Sequence, residues 1–286
     1  MKLYSIPTGN FKLDGGAMFG VVPKVLWEKQ YPSDEHNLCS WAMRCLLVET
    51  DDGKRILIDN GIGDKQDEKF MGHYYLHGDD SLEKSLSRYG FSFEDITDVV
   101  LSHLHFDHCG GSVKKDKQTG ELSIAFPNAN YWTTKAQWEW AVNPNDREKA
   151  SFLKENILPI QESGHLRFID ASTNDYLHMD LRVFNGHTAG QIIPIIPFEG
   201  KKLVFMADLL PSTVHIPIPW VMSYDTRPLL TLEEKKPFLE EACENDYILF
   251  FEHDIYNECC SLQMTPKGVR VKETFTLEEF TKIKVL

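Results

Sequence analysis

The chain has 286 residues, 42% of them hydrophobic, and a formal net charge of −13. That length and apolar content suffice for a substantial core and exclude a disordered chain. The acidic balance disfavours nucleic acid and anionic membrane surfaces, both of which call for clustered Lys and Arg.

Taken in chain order, the opening stretch MKLYSIPTGNFKLDGG lacks the apolar run of a signal peptide, and nowhere do about 18 apolar residues follow one another. A cytoplasmic protein that spans no membrane is expected. CLLVETDDGKRILIDNG predicts a hairpin over 45–59, turning at Asp51-Asp52-Gly53. SLEKSLSRYG has helical spacing and ends at Gly90, a suitable C-terminal cap. ITDVVLSH (96–103) is a short β-branched run, read as a buried strand. Helices are expected over 133–142 and 146–157. Three strands follow, at 181–186, 191–198 and 201–208. Pro194 and Pro197 demote the middle one to an edge or bulged strand. A helix capped by Thr231 is expected over 231–245, then a last buried strand over 247–254. No repeat or low-complexity linker divides the chain, so residues 1–286 are read as a single domain. Strands, then helices, then strands again predict two packed sheets with helices outside. The six cysteines (Cys39, Cys45, Cys109, Cys243, Cys259 and Cys260) form no C-x-x-C pair and read as reduced thiols.

The segment Ser102-His103-Leu104-His105-Phe106-Asp107-His108-Cys109-Gly110-Gly111 carries the chemistry. It places H-x-H-x-D-H directly after a buried strand. In extended backbone His103 and His105 point to one side, and Asp107 and His108 follow where the strand turns. Gly110 and Gly111 permit a sharp turn and close packing. Lone histidines are usually satisfied core or surface residues. Three within six positions, beside an aspartate, are costly to bury together without a cation. Cys109, directly after this motif, reads as a small buried residue.

H-x-H-x-D-H at a strand end resembles the metallo-β-lactamase superfamily. The rest of that pattern is present as Gly186-His187-Thr188-Ala189-Gly190, as Asp208 after LVFMA, and as His253 in LFFEHD. The resemblance covers residues 40–255. It implies an α/β fold, a four-layer αβ/βα sandwich of two mixed sheets with outer helices. It also implies two divalent metal ions. His103, His105 and His187 would hold one, Asp107, His108 and His253 the other, with Asp208 bridging. N and O donors suit Zn²⁺, and also Mn²⁺, Fe²⁺ or Co²⁺. The implied reaction is attack of a metal-bridging hydroxide on an electrophilic centre, with Asp107 and Asp208 as catalytic groups. Asp59, at the end of the early hairpin, is expected to buttress the ligand loops.

Leu13-Asp14-Gly15-Gly16-Ala17-Met18-Phe19-Gly20, with Val22-Pro23-Lys24 and Trp27, resembles the N-terminal segment of the N-acyl homoserine lactone hydrolase branch. Asp208-Leu209-Leu210-Pro211-Ser212, His215 and Pro219-Trp220-Val221-Met222-Ser223-Tyr224-Asp225 resemble the same quorum-quenching branch, to which phosphotriesterases of the methyl parathion hydrolase type are near relatives. Lactonases of that branch carry a Tyr shortly after the bridging Asp. Here Leu209, Leu210 and Pro211 stand in its place, and His215 and Tyr224 are the candidates to replace it. Met18, Phe19, Trp27, Trp220 and Met222 are the expected pocket residues, suited to an acyl chain or an aromatic leaving group. The N-terminal region 1–38 then serves substrate binding or an interface, compatible with a homodimer. The expectation is a lactonase acting on a small hydrophobic lactone or ester. The alternatives are a phosphotriesterase or arylesterase of the same fold, and an iron redox enzyme or non-catalytic binding protein on the same scaffold.

Overall fold

The apolar runs organise a mixed α/β structure, described by a computed structural model over residues 1–170 and 172–282. In chain order its elements are β1 (Lys2–Asp14), α1 (Gly15–Phe19), α2 (Lys24–Trp27), β2 (Leu38–Glu49), β3 (Arg55–Ile58), α3 (Glu68–Gly72) and α4 (Leu82–Arg88). Then come β4 (Asp98–Val100), α5 (Phe106–Cys109), β5 (Val113–Lys115), β6 (Leu122–Ile124), β7 (Asn130–Thr133), α6 (Lys135–Val142), α7 (Lys154–Glu162), β8 (Leu166–Phe168) and α8 (Thr173–Leu177). The last group is β9 (Asp180–Phe184), β10 (Gln191–Phe198), β11 (Lys201–Phe205), α9 (Pro228–Glu244), β12 (Ile248–Phe250), β13 (Cys259–Thr265), β14 (Gly268–Phe275) and α10 (Leu277–Lys282).

Two six-stranded mixed sheets form, in the orders β1-β2-β3-β4-β7-β8 and β14-β13-β12-β11-β10-β9. In the first, β2 and β3 pair antiparallel while β3, β4, β7 and β8 run parallel. In the second, β11 and β12 are the parallel pair, and β10–β11, β12–β13 and β13–β14 are antiparallel. Contacts divide the chain into two compact units. One comprises Met1–Gly9, Met43–His178 and Gly190–Ile192; the other comprises Asn10–Ala42, Met179–Ala189 and Ile193–Leu286. The first unit closes around Ile6, Leu47, Leu57, Val99, Leu101 and Tyr131, all fully buried. In the second, Phe205 stacks on Phe250 and the edge of one of the pair Phe184–Phe238 meets the face of the other. Each such buried apolar side chain contributes roughly 1.5–3 kcal/mol. Among the described residues no helix is long and apolar enough to cross a membrane. All six cysteines are free.

Three expectations need correction. The helix expected over 146–157 begins only at Lys154, because residues before it turn to send Glu148 inward. β10 lies inside its sheet, between β11 and β9, despite its prolines. Pro194 precedes the residues paired with β11, which start at Ile195, and β9 is the shorter neighbour, so backbone donors are not demanded along the whole strand. The late helix starts at Pro228, not Thr231. Proline suits the first helical position, where the N–H has no intrahelical acceptor, and Thr231 is buried one turn inside.

Candidate metal centre

In the first unit β4 ends at Val100, and the next residues deliver the histidines from a loop. His105 is the N-cap of α5, so Asp107 and His108 come from a single short helical turn instead of the extended loop their spacing suggests. The turn is fixed from behind by residues 60–62. Asn60 N–H donates to the His108 carbonyl at 2.9 Å and Gly111 N–H to the Gly61 carbonyl at 3.0 Å. A Cβ on Gly110 would lie 2.0 Å from the Ile62 oxygen, so only glycine fits this approach. Lys65 Nζ also donates to the Gly110 carbonyl.

His103, His105, Asp107 and His108 are all buried. The expected buttress, Asp59, is fully buried. It accepts from Ser102 N at 2.7 Å, from Ser102 Oγ at 2.5 Å and from His108 Nδ1 at 3.1 Å. Ser102 Oγ in turn lies 3.1 Å from His103 Nδ1. Glu148, which carries no motif, lies 3.3 Å from His105 Nε2 and also accepts from Trp140 Nε1 at 2.5 Å and Asn145 Nδ2 at 2.9 Å.

These outer acceptors fix the tautomers. His103 and His108 donate from Nδ1, and His105 donates from Nε2. The remaining nitrogens are lone pairs turned toward one another or toward a carboxylate. His103 Nε2 and His105 Nδ1 are 3.0 Å apart, and His108 Nε2 is 3.7 Å from Asp107 Oδ2. Two lone pairs at 3.0 Å repel unless a cation or proton lies between them.

The second unit repeats this logic. A 3₁₀ turn after β11 carries Asp208, and the preceding Ala207 holds φ at +38°, a strained backbone of the kind found at functional positions. Asp208 Oδ2 is 3.1 Å from His187 Nε2, and its Oδ1 is 3.2 Å from His253 Nε2. His187 Nδ1 meets Asp225 Oδ1 at 2.9 Å, and His253 Nδ1 meets the Ala42 carbonyl at 2.8 Å. With each Nδ1 engaged by an outer acceptor, both Nε2 atoms turn toward the Asp208 carboxylate. Burial opposes charge on His187, but the Asp208 and Asp225 carboxylates outweigh it and raise its pKa to about 10. Without a metal, a proton fills the position a cation would take. In each unit the donor set and its orientation therefore fit part of a divalent metal centre.

His215 does not stand as a free acid or base. It is buried, its Nε2 donates to the Met18 carbonyl at 2.8 Å, and its Nδ1 accepts from Ser212 Oγ at 2.7 Å. Burial pushes its pKa down to about 3. Its ring stacks on Phe19 at 4.9 Å, and Phe19 stacks on Trp27 at 4.9 Å. Met18, Phe19, Trp27 and Met222 are all buried, while Trp220 is only partly so and Tyr224 is 41% exposed. Burial drives the Cys109 thiol up to about 12, and its Sγ donates to the Leu104 carbonyl at 3.4 Å, in keeping with a packing role. Sequence reasoning missed Glu148, Lys65 and the bond from Asp225 to His187.

The chain matches the family model of the metallo-β-lactamase superfamily over residues 44–251. Six of the seven ligand candidates fall inside that span, and His253 lies just past it. The chain is 27% identical over 270 residues to an N-acyl homoserine lactonase of Bacillus cereus, with 90% of this chain and 94% of that protein covered. Among solved structures it is similar to a probable metal-dependent hydrolase from Staphylococcus aureus, at a TM-score of 0.84 and 28% identity over 96% of this chain and 98% of that one. It is also similar to AidC, a dizinc quorum-quenching lactonase in complex with a homoserine product, at a TM-score of 0.77 and 27% identity over 96% and 95% of the two chains. With the family model spanning the greater part of its length, the chain belongs to the metallo-β-lactamase superfamily and is a metal-dependent hydrolase.

Proposed function

We propose that the protein is a lactonase that opens N-acyl homoserine lactones or similarly hydrophobic lactones with two divalent metal ions. The family pattern assigns His103, His105 and His187 to one ion, Asp107, His108 and His253 to the other, and Asp208 to both. The observation that carries the reading is the tautomer pattern: each outer acceptor claims one nitrogen of a histidine and turns the other toward a neighbouring donor or carboxylate. Likeness to curated lactonases over 90% of the chain supports the substrate class.

When bound, such ions supply Lewis-acid polarisation and make water a nucleophile near neutral pH. The chain's own residues do the rest. Asp59, Glu148 and Asp225 hold the imidazoles in register and keep their outer protons in place. Asp107 and Asp208 supply anionic oxygens that can accept a proton during attack. His215 is committed to Met18 and Ser212, so the exposed phenol of Tyr224 is the better candidate to replace the tyrosine of related lactonases. Residues 1–38 and Trp220 supply the apolar surface for an acyl chain.

The test is ring opening of a long-chain N-acyl homoserine lactone by zinc- or manganese-loaded protein, followed as proton release. Turnover that a chelator stops is the expected result. No turnover with both metals shown to be bound overturns the lactonase reading and directs the assay to phosphotriesters and aryl esters.

A further inference from the structure

Lys235 sits in the charged run Glu233-Glu234-Lys235-Lys236 of α9, yet it is fully buried. Its ammonium donates to three carbonyls of one loop: Pro217 at 3.0 Å, Ile218 at 3.3 Å and Trp220 at 2.8 Å. A lysine amine withdrawn from water is costly unless its donors are met. Burial lowers its pKa to about 7, and the Asp225 carboxylate works against that shift. The loop it grips is pinned again further on. Ser223 N–H donates to the Ala17 carbonyl at 2.8 Å, and a Cβ on Gly20 would meet the Val221 oxygen at 2.6 Å. Its centre is Trp220, whose ring packs at right angles to Phe19 with centroids 6.0 Å apart. Of the five apolar residues expected to face substrate, Trp220 alone keeps substantial accessible surface.

We propose that Lys235 is a positioning residue for substrate selectivity, which holds the 217–225 loop through three carbonyls and so sets the ring of Trp220 against the acyl chain of the lactone. The substrate half of this inference rests on the lactonase reading above; the clamp itself does not. Methionine at 235 keeps an apolar stem and removes the donors, so the loop should loosen while the metal ligands remain in place.

The experiment has two readouts on metal-loaded K235M. The first is amide hydrogen exchange of a peptide spanning 216–226, which needs no substrate and should speed up at least about tenfold. The second is the ratio of kcat/KM for a long-chain N-acyl homoserine lactone to that for the bare γ-butyrolactone ring. The ratio should fall about tenfold, mostly through KM, with metal content unchanged, and the fall should vanish in a Trp220→Ala background. Unchanged exchange overturns the clamp. Faster exchange with an unchanged ratio, or equal loss on both substrates, overturns the selectivity role. Wild-type protein that opens neither lactone sinks the lactonase reading, and the exchange result still decides the clamp. If K235M does not fold, K235L takes its place, since leucine likewise removes every donor to the three carbonyls; wild-type exchange in K235L then counts against the clamp.

Discussion

Glu148→Gln removes one charge and almost no volume, which makes it a sharp probe of the ligand-orienting shell. The carboxylate accepts from His105 Nε2, Trp140 Nε1 and Asn145 Nδ2. A glutamine amide has a single oxygen. If that oxygen stays with Trp140 and Asn145, the NH₂ confronts the His105 N–H. His105 then either loses its partner or moves its proton to Nδ1, the nitrogen that lies 3.0 Å from His103 Nε2 and is needed for a metal. If the amide flips, the clash passes to Trp140 instead. A buried donor left unmet costs about 1–3 kcal/mol, and loss of such an outer partner typically weakens metal affinity about 10–100-fold. The two estimates agree, since each tenfold is about 1.4 kcal/mol. The measurement is competition for zinc against a chromophoric chelator, with a thermal melt to confirm folding. Metal should be lost at chelator concentrations that leave the wild type loaded. Folded E148Q that keeps its metal at wild-type affinity would falsify the argument that Glu148 sets the His105 tautomer.

Asp208→Ala removes the carboxylate that faces both His187 and His253; turnover should cease and metal analysis should find depleted protein, whereas full activity would sink the assigned mechanism. Metal uptake should release protons. His187 of the metal-free protein holds its proton up to a pH of about 10, so below that a cation must displace it, and apparent affinity should weaken about tenfold per unit fall in pH for each proton displaced. Calorimetric titration in buffers of different ionisation enthalpy reads that number directly, and no released proton would contradict it. Gly110→Ala forces a Cβ to within 2.0 Å of the Ile62 carbonyl; overpacking of this kind costs about 1–3 kcal/mol, visible as a lower melting temperature together with weaker metal retention, and an unchanged melt would mean that the 60–62 segment yields.

The strands and the candidate ligand motifs were legible because both are local signals. A β-branched apolar run specifies a buried strand whatever it packs against, and the hairpin turn and helix caps depend on only a few residues each. H-x-H-x-D-H, G-H-T-x-G, the aspartate of LVFMAD and the histidine of LFFEHD stand out as short patterns, which sufficed for family and metal chemistry. Proline in β10 misled because propensity reports what a residue prefers in isolation, and the sheet could place that strand where not every donor is needed. The 146–157 helix failed for a related reason: Glu148 turns inward to accept from His105, Trp140 and Asn145, and the first of these is a tertiary neighbour that local propensity does not report.

What the sequence by itself determined is the set of chemical groups and their order along the chain. What only the tertiary structure decided is which proton each group holds and which surface stays open. Glu148 reaches His105 from 43 residues away, Asp59 reaches His108 across 49, and Asp225 reaches His187 across 38. His215 carries the same imidazole as the candidate ligands, yet Met18 and Ser212 occupy both its nitrogens. Lys235, one of two adjacent lysines, is buried because a loop from 15 to 18 residues upstream folds its carbonyls onto it. A side chain's type is fixed by the sequence, but its protonation and direction depend on the neighbours that close packing brings within hydrogen-bond distance. No local pattern encodes those neighbours.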